Sequence, residues 1–446
     1  MSNRIPLTQT QCVAGAAESS VIGRLSGGER AGMPGRVRFN PLDAGFRQDP
    51  YPLYGRLRDE APYLRTLGML VLTRHADVQA ALRERRLSVG LIPATITCGV
   101  AKLKLDGAQQ IEQFIRNSIV FTDSPEHLRL RRLINQAYTP AAITQLKTIV
   151  AREVDTLVER ALVVGSIDAI SEIAAPLPLN VLCAWMDVPA EAREQVATHV
   201  SAIRALLDPG MLARAHYEQA IAATAQLTRF FVDHASRAAG LHDGSTLTER
   251  LFAARSDGDR LSETEVAFAC IMSFVAGNET TQCLIGNTLD MLLRFPAETA
   301  RLRAQPDLID AAVEESIRYQ TPLQFTKRVA PQAVEINGHG IARGEQILLC
   351  LGAANRDPRV FDSPERASLE RSHGAQLGFG SGMHACLGGA LARLQAEACI
   401  SALVERTVSI ERLTDAVRWQ THSLILRGLE TLPLRLVRRT GAGVGS

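Results

Sequence analysis

The longest helical pattern in the chain opens at Ser262-Glu-Thr-Glu265, a capping box with Ser three residues before Glu. It predicts a helix reaching Arg294 and stopped by Pro296. Residues 266–276 are apolar on every side, which marks a helix buried in a core rather than laid on a surface. Helical spacing of apolar residues predicts further helices within 49–60, over 76–83 and over 309–319 ahead of Pro322. The pattern stays helical from Pro125 to about Gly240, with turn breaks near Pro140, Pro176 and Pro209, and returns over 390–404. Strand signals are short: 69–73, 324–329, 334–336 and 346–351. Residues 89–120, interrupted by Gly90, Pro93, Gly99 and Gly107, read as irregular. The sum is a mainly α body with small β-sheets toward the ends.

A chain of 446 residues allows two or three domains or one large one. No Gly/Ser/Pro-rich linker and no 20–50 residue repeat divides it, so one unit over 37–440 is expected. Residues 1–36, rich in Gly, Ser, Ala and Arg without periodicity, read as a flexible tail, with a targeting role left open. Residues 441–446 read as a second tail. A net charge of +2 without a basic-aromatic cluster argues against nucleic acid as a partner. The eight cysteines include no C-x-x-C and lie in apolar stretches, which suits a reducing cytoplasm. No segment approaches the ~20 apolar residues of a bilayer span, so no membrane anchor is expected.

The densest chemistry lies in Phe379-Gly380-Ser381-Gly382-Met383-His384-Ala385-Cys386-Leu387-Gly388. Cys386 precedes an amphipathic stretch, where a helix start favours a thiolate. Gly382 and Gly388 remove side chains on either side, so a flat ligand can approach the sulfur. Phe379 offers an apolar plate and His384 a polar contact. One thiolate in such a loop suits an axial bond to haem iron better than a zinc cage. Alone, the cysteine reads more readily as a buried structural residue, since free Cys is among the most buried residue types. The full spacing Phe-x-x-Gly-x-His-x-Cys-x-Gly arises by chance on the order of once in 10⁴ such chains.

This loop resembles the haem-ligand loop of the cytochrome P450 monooxygenases, and three further segments match that family in order, so that the resemblance covers roughly residues 37 to 440. It implies the family's mainly α fold, heme b with Cys386 as the iron ligand, and insertion of one atom of O2 into an apolar molecule. Ala276-Gly277-Asn278-Glu279-Thr280-Thr281 looks like the oxygen-activation segment. There Glu279 would relay protons and Thr280 would steer the distal oxygen out as water, in a groove widened at Gly277. The alternative is a Thr280 hydroxyl bonded one turn back and a Glu279 met by a surface arginine. Glu315-Ser-Ile-Arg318 looks like the family's Glu-x-x-Arg signature, with Arg371 its third member and Arg366 the second choice. A solvated surface pair is the competing account.

His127 and Arg131, one turn apart, resemble the pair that grips a haem propionate, joined by Arg328 and His384. Where many relatives place a histidine ahead of the loop phenylalanine this chain has Gln376, with His373 out of register, so one propionate contact is weaker or is made by the Gln amide. Residues 89–120 with Met272, Val275, Ala276, Leu323 and Gln324 would line the space above iron, and their apolar character implies an apolar substrate. No flavin or iron–sulfur signature is present, so electrons would come from NAD(P)H through a ferredoxin reductase and a ferredoxin. The ferredoxin would meet Arg129 and Arg132, pointing to solvent. The rivals are a peroxide-driven peroxygenase, disfavoured by the Glu279–Thr280 pair, and a non-catalytic haem sensor or carrier, which needs no such pair. A bacterial natural-product intermediate is the expected substrate, and a soluble protein of the cytoplasm the expected setting.

Overall fold

The computed structural model describes residues 37–208, 212–238, 244–372 and 374–439. The first part holds α1 (Ala44–Gln48), α2 (Tyr51–Glu60), β1 (Tyr63–Thr66), β2 (Met69–Leu72), α3 (His75–Arg83), α4 (Leu91–Leu103), α5 (Ala108–Asn117) and α6 (Glu126–Asn135). Longer helices follow: α7 (Pro140–Val164), then β3 (Ser166–Asp168), α8 (Pro176–Trp185), α9 (Arg193–Arg204), α10 (Arg214–Ala238) and α11 (Leu247–Ala253). The hairpin of β4 (Arg255–Ser256) and β5 (Asp259–Arg260) leads into α12 (Glu263–Arg294), α13 (Pro296–Ala304) and α14 (Ile309–Tyr319). Next come β6 (Phe325–Val329), β7 (Val334–Ile336), β8 (His339–Ile341), β9 (Gln346–Cys350) and α15 (Leu351–Ala354). After a long irregular stretch, α16 (Gly389–Arg406), β10 (Thr407–Arg412), β11 (Arg418–Trp419), β12 (Leu429–Thr431) and β13 (Pro433–Arg438) close the described chain.

The capping box forms as the sequence predicts, with Ser262 Oγ accepting from Glu265 N and Glu265 reaching back to Ser262 N. Helix α12 packs against α10, α16, α14 and α8, which explains why it is apolar all round. Two of its buried polar residues are held by protein partners. Asn287 donates to the Gln320 and Arg427 carbonyls at 2.8 and 3.0 Å, and Asp290 pairs with Arg294 and Arg412.

The main sheet runs β1-β2-β9-β6, with β2 and β9 parallel and the outer pairs antiparallel. Side chains alternate across it. Leu70, Leu72, Ile347 and Leu349 pack with α3, while Met69, Val71, Leu348 and Cys350 pack with Phe39, Phe46 and Tyr54. A second sheet, β10-β13-β3, joins the chain's end to the middle of the helical region.

Residues 89–120 are two helices, not an irregular segment. Pro93 falls in the first turn of α4, where a missing N–H is harmless, and Gly107, at φ +81, turns the chain into α5. Gly99 sits under Tyr217, whose hydroxyl a Cβ at that position would strike, so α4 rests closely on α10. The cysteines are not uniformly thiols: Cys98 is disulfide-bonded. Among the described residues no helix is long and apolar enough to cross a membrane. The expectations for residues 1–36, Pro209, Gly240, His373 and 441–446 lie outside the described residues.

Candidate active site

The Cys386 loop is closed by its own backbone. Cys386 N donates to the Phe379 carbonyl at 2.8 Å, Gly380 N to Leu377 at 2.8 Å and Ala385 N to Gly382 at 3.1 Å. Gly380 and Gly382 have φ of +71 and +74, which only glycine adopts without strain. At Gly382 a Cβ would also meet the Leu82 carbonyl oxygen at 2.8 Å, so the loop is wedged against the end of α3. The N–H groups of Gly388 and Gly389 point at the Cys386 sulfur, and Arg131 and Arg393 add positive charge. Burial outweighs all of these and pushes the thiol pKa up, contrary to the expectation that the helix start alone favours a thiolate. Even so, Cys386 is accessible, whereas the other thiols among the described residues are buried in packed core. Phe379 is clamped from behind by Arg393, whose guanidinium lies 4.3 Å from its ring centre.

Beside the sulfur the structure gathers His127, Arg131, Arg328 and His384. The rings of His127 and His384 lie 4.1 Å apart. His127 is fully buried with neither ring nitrogen hydrogen-bonded, and His384 Nε2 is also unbonded. Burial, with His127, Arg328 and Arg131 beside it, pushes His384 down to about 3. Arg131 donates to the Ala385 carbonyl at 2.8 Å. Arg328 is buried, bonded to Thr326 Oγ1 and the Lys327 carbonyl, and pushed down to about 10 by burial. Among the described residues neither Arg131 nor Arg328 has a carboxylate at ion-pair distance. Unpaired buried donors are costly. This set therefore fits a ligand that carries carboxylates, next to a sulfur that can bind iron, and haem meets both requirements. Gly388 caps α16 with nothing within 4 Å of a Cβ, which leaves a flat face beside the sulfur.

Gln376 does not serve this set. Its amide donates to Glu314 at 3.2 Å and accepts from Gly378 N at 2.6 Å, so the propionate contact assigned to it is withdrawn.

Midway along α12, residues 276–280 are accessible in a helix otherwise buried on both sides of them. No widening occurs at Gly277; the α-helix is continuous. Thr280 Oγ1 donates back to the Ala276 carbonyl at 2.6 Å. Glu279 is met by an arginine, but a buried one: Arg204 Nε lies 2.8 Å from Oε2. The contact is a charge pair rather than an aligned hydrogen bond, because Oε2 has no hydrogen-bond partner. His422 Nε2 lies 3.6 Å from the same oxygen. Neither Arg204 nor His422 was legible beforehand, since nothing in the sequence ties either to Glu279.

Of the pocket residues, Met272 and Val275 are buried in α12, Ala276 is exposed at its accessible stretch, and Leu323 is half-buried beside a bridge to Leu426. Gln324 is not a pocket residue. Its Oε1 accepts from Tyr54 at 2.9 Å, its Nε2 donates to the Thr321 carbonyl at 2.6 Å, and it is buried.

Glu315 and Arg318 form a buried two-pronged pair at 2.7 and 2.8 Å, not a surface contact. Arg371 joins Glu315 at 3.1 Å. Arg366 contributes its carbonyl, which accepts from Arg318 at 2.8 Å and Arg371 at 3.3 Å. Arg318 also donates to the Asn355 and Pro364 carbonyls, and Asn355 Oδ1 accepts from Leu377 N at 2.7 Å. The triad thus holds the segment that leads into the cysteine loop.

Arg129 does not point free to solvent. It is caged by Glu126, Asp259 and Glu265, tying α6 to the hairpin and to the start of α12. Arg132 is exposed and pairs with Asp257 at 2.8 Å.

The family profile described as Cytochrome P450 matches residues 200–416. A relative named putative cytochrome P450 123, from Mycobacterium tuberculosis, is 34% identical over 92% of this chain and 99% of its own. The polyketide biosynthesis cytochrome P450 PksS of Bacillus subtilis is 31% identical over 90% of this chain and 99% of its own. Among solved structures, P450BioI in complex with hexadec-9Z-enoic acid ligated acyl carrier protein superposes with a TM-score of 0.79 at 30% identity, covering 88% of this chain and 99% of that one.

Proposed function

The chain belongs to the cytochrome P450 family of haem-thiolate monooxygenases, and we propose that it oxidises an apolar natural-product intermediate with O2 and electrons from NAD(P)H delivered by a ferredoxin. The observation that carries this reading is Cys386, exposed where the other thiols among the described residues are buried, set beside two imidazoles with unbonded ring nitrogens and two arginines with no carboxylate at ion-pair distance. Cys386 would be the axial ligand of heme b, and His127, Arg131, Arg328 and His384 would hold its propionates. When bound, the cofactor supplies the activation of dioxygen, with the thiolate favouring O–O cleavage. Overall, substrate, O2, two electrons and two protons give the oxygenated product and water.

The protein's own part is positional. The triad of Glu315, Arg318 and Arg371 fixes the loop that presents Cys386. Glu279 accepts protons from the solvent side and Thr280 carries a hydroxyl toward the cavity. For Thr280 to donate there, its bond to the Ala276 carbonyl must give way, a rotation about one side-chain torsion. Met272, Val275 and Ala276 present an apolar wall, which selects substrate by burial rather than by polar contacts. The likeness to a polyketide-pathway enzyme and to one solved with a carrier-bound acyl chain supports an acyl-derived natural product as the substrate class. An optical-shift titration with free fatty acids, carrier-bound acyl chains, terpenoids and steroids tests it. The account predicts a spin-state shift with the acyl class, and a response confined to terpenoids or steroids would replace that class.

A further inference from the structure

We propose that His422 collects protons from solvent and passes them to Glu279, acting as a positioning residue at the outer end of the path to Thr280. This rests on the role of Glu279 stated above. Two side chains reach Glu279 Oε2: Arg204 Nε at 2.8 Å and His422 Nε2 at 3.6 Å. A guanidinium does not release its proton near neutral pH, so Arg204 fixes the carboxylate without feeding it. An imidazole changes charge in that range and exchanges protons through two nitrogens. His422 is also the side chain that joins the two environments: it is 62% exposed and touches a carboxylate that is 21% exposed.

The segment carrying His422 is fixed by buried bonds. Ser423 donates to Asp208 Oδ2 at 2.6 Å and its N–H donates to Gln420 Oε1 at 3.0 Å. Its hydroxyl oxygen accepts from Leu426 N at 3.1 Å. Asp208 in turn holds Arg204 at 3.1 Å, so one network places both partners of Glu279. The charged and titratable groups around Glu279 are Arg204 on α9, Asp208 after it, His422, Cys283 on α12 itself, and Arg47, which donates to the Ser423 carbonyl at 3.4 Å.

In the transfer, a hydronium ion of the solvent protonates Nδ1 and is left as water, and the Nε2 proton moves to Glu279 Oε2 directly or through one water. The ring is left neutral with its proton on Nδ1, and exchange with solvent restores the starting tautomer. One proton leaves hydronium and one arrives on the carboxylate, with the ring neutral before and after.

Two measurements on the haem-loaded protein test this. In the first, the ring ¹⁵N resonances of His422 should move on Glu279→Gln; unmoved resonances overturn the contact. In the second, oxygen consumption is driven by NADPH with saturating surrogate ferredoxin and reductase, without organic substrate. His422→Ala and Glu279→Gln should each slow it several-fold, with the double variant no slower than Glu279→Gln alone. A wild-type rate in His422→Ala beside a slow Glu279→Gln overturns the role of His422, and so does additive slowing. A wild-type rate in Glu279→Gln overturns the reading of Glu279 itself. Melting temperatures should be unchanged in His422→Ala, because the ring is mostly exposed.

Discussion

The two sides of the site are built differently. On the cysteine side the protein frame is fixed and the backbone takes shapes only glycine allows: Gly382 is pressed on the Leu82 carbonyl, and Glu315 holds Arg318 and Arg371 in a buried knot. On the α12 side the functional groups are present but held in reserve. Thr280 is bonded to its own helix, and Glu279 leans on Arg204 without an aligned hydrogen bond. The cysteine side needs one geometry that never changes. The α12 side must release a hydroxyl and pass protons, so its contacts are ones that can be exchanged.

The sharpest way to break this contrast is to remove a charge from the knot. Arg318→Ala or Glu315→Ala leaves the other charge buried and alone, which costs about 3–5 kcal/mol. Little soluble haem-loaded protein is expected, measured as haem absorbance per mole of purified chain. Normal yield and haem content would make the cysteine side as tolerant as the α12 side. Gly382→Ala comes next. A left-handed backbone plus a steric clash costs about 1–3 kcal/mol, and a melting temperature lowered by several degrees is the expected result. An unchanged melting point would show that the loop adapts.

On the α12 side, Thr280→Ala should fold and load haem normally, since the lost bond is a helix-internal one worth little. It should release more hydrogen peroxide and less product per NADPH oxidised. Unaltered coupling would remove Thr280 from the mechanism. The smallest effects belong to the two arginines of α6. Arg129→Glu puts a fourth acid into the cage of Glu126, Asp259 and Glu265 and should lower the melting temperature by a few degrees. Arg132→Glu should leave stability nearly untouched and slow ferredoxin-driven reduction by no more than a few-fold, with less dependence on salt. Equal thermal effects from the two would contradict the cage.

The same contrast explains what the sequence disclosed. The cysteine side is marked by local patterns: Phe379 to Gly388 is one decapeptide, and Glu315 and Arg318 share a helix turn, so spacing alone exposes them. The α12 side is assembled from distant segments. Glu279 acquires Arg204 from α9 and His422 from the loop before β12, and no spacing links the three. Gln324 was misplaced for a related reason. No local pattern marks it, because Tyr54 of α2, far away in sequence, claims its amide together with the Thr321 carbonyl. Helices α4 and α5 were missed because Gly99 and Gly107 read as breaks, when one serves close packing and the other a cap.

The central claim is that Cys386 is the thiolate ligand of haem iron. The absorption spectrum of the reduced, carbon monoxide-bound protein tests it most directly. The wild-type protein should show the strongly red-shifted Soret band of thiolate ligation; Cys386→Ser should lose it, while Cys183→Ser and Cys399→Ser keep it. A red-shifted band persisting in Cys386→Ser would contradict the account.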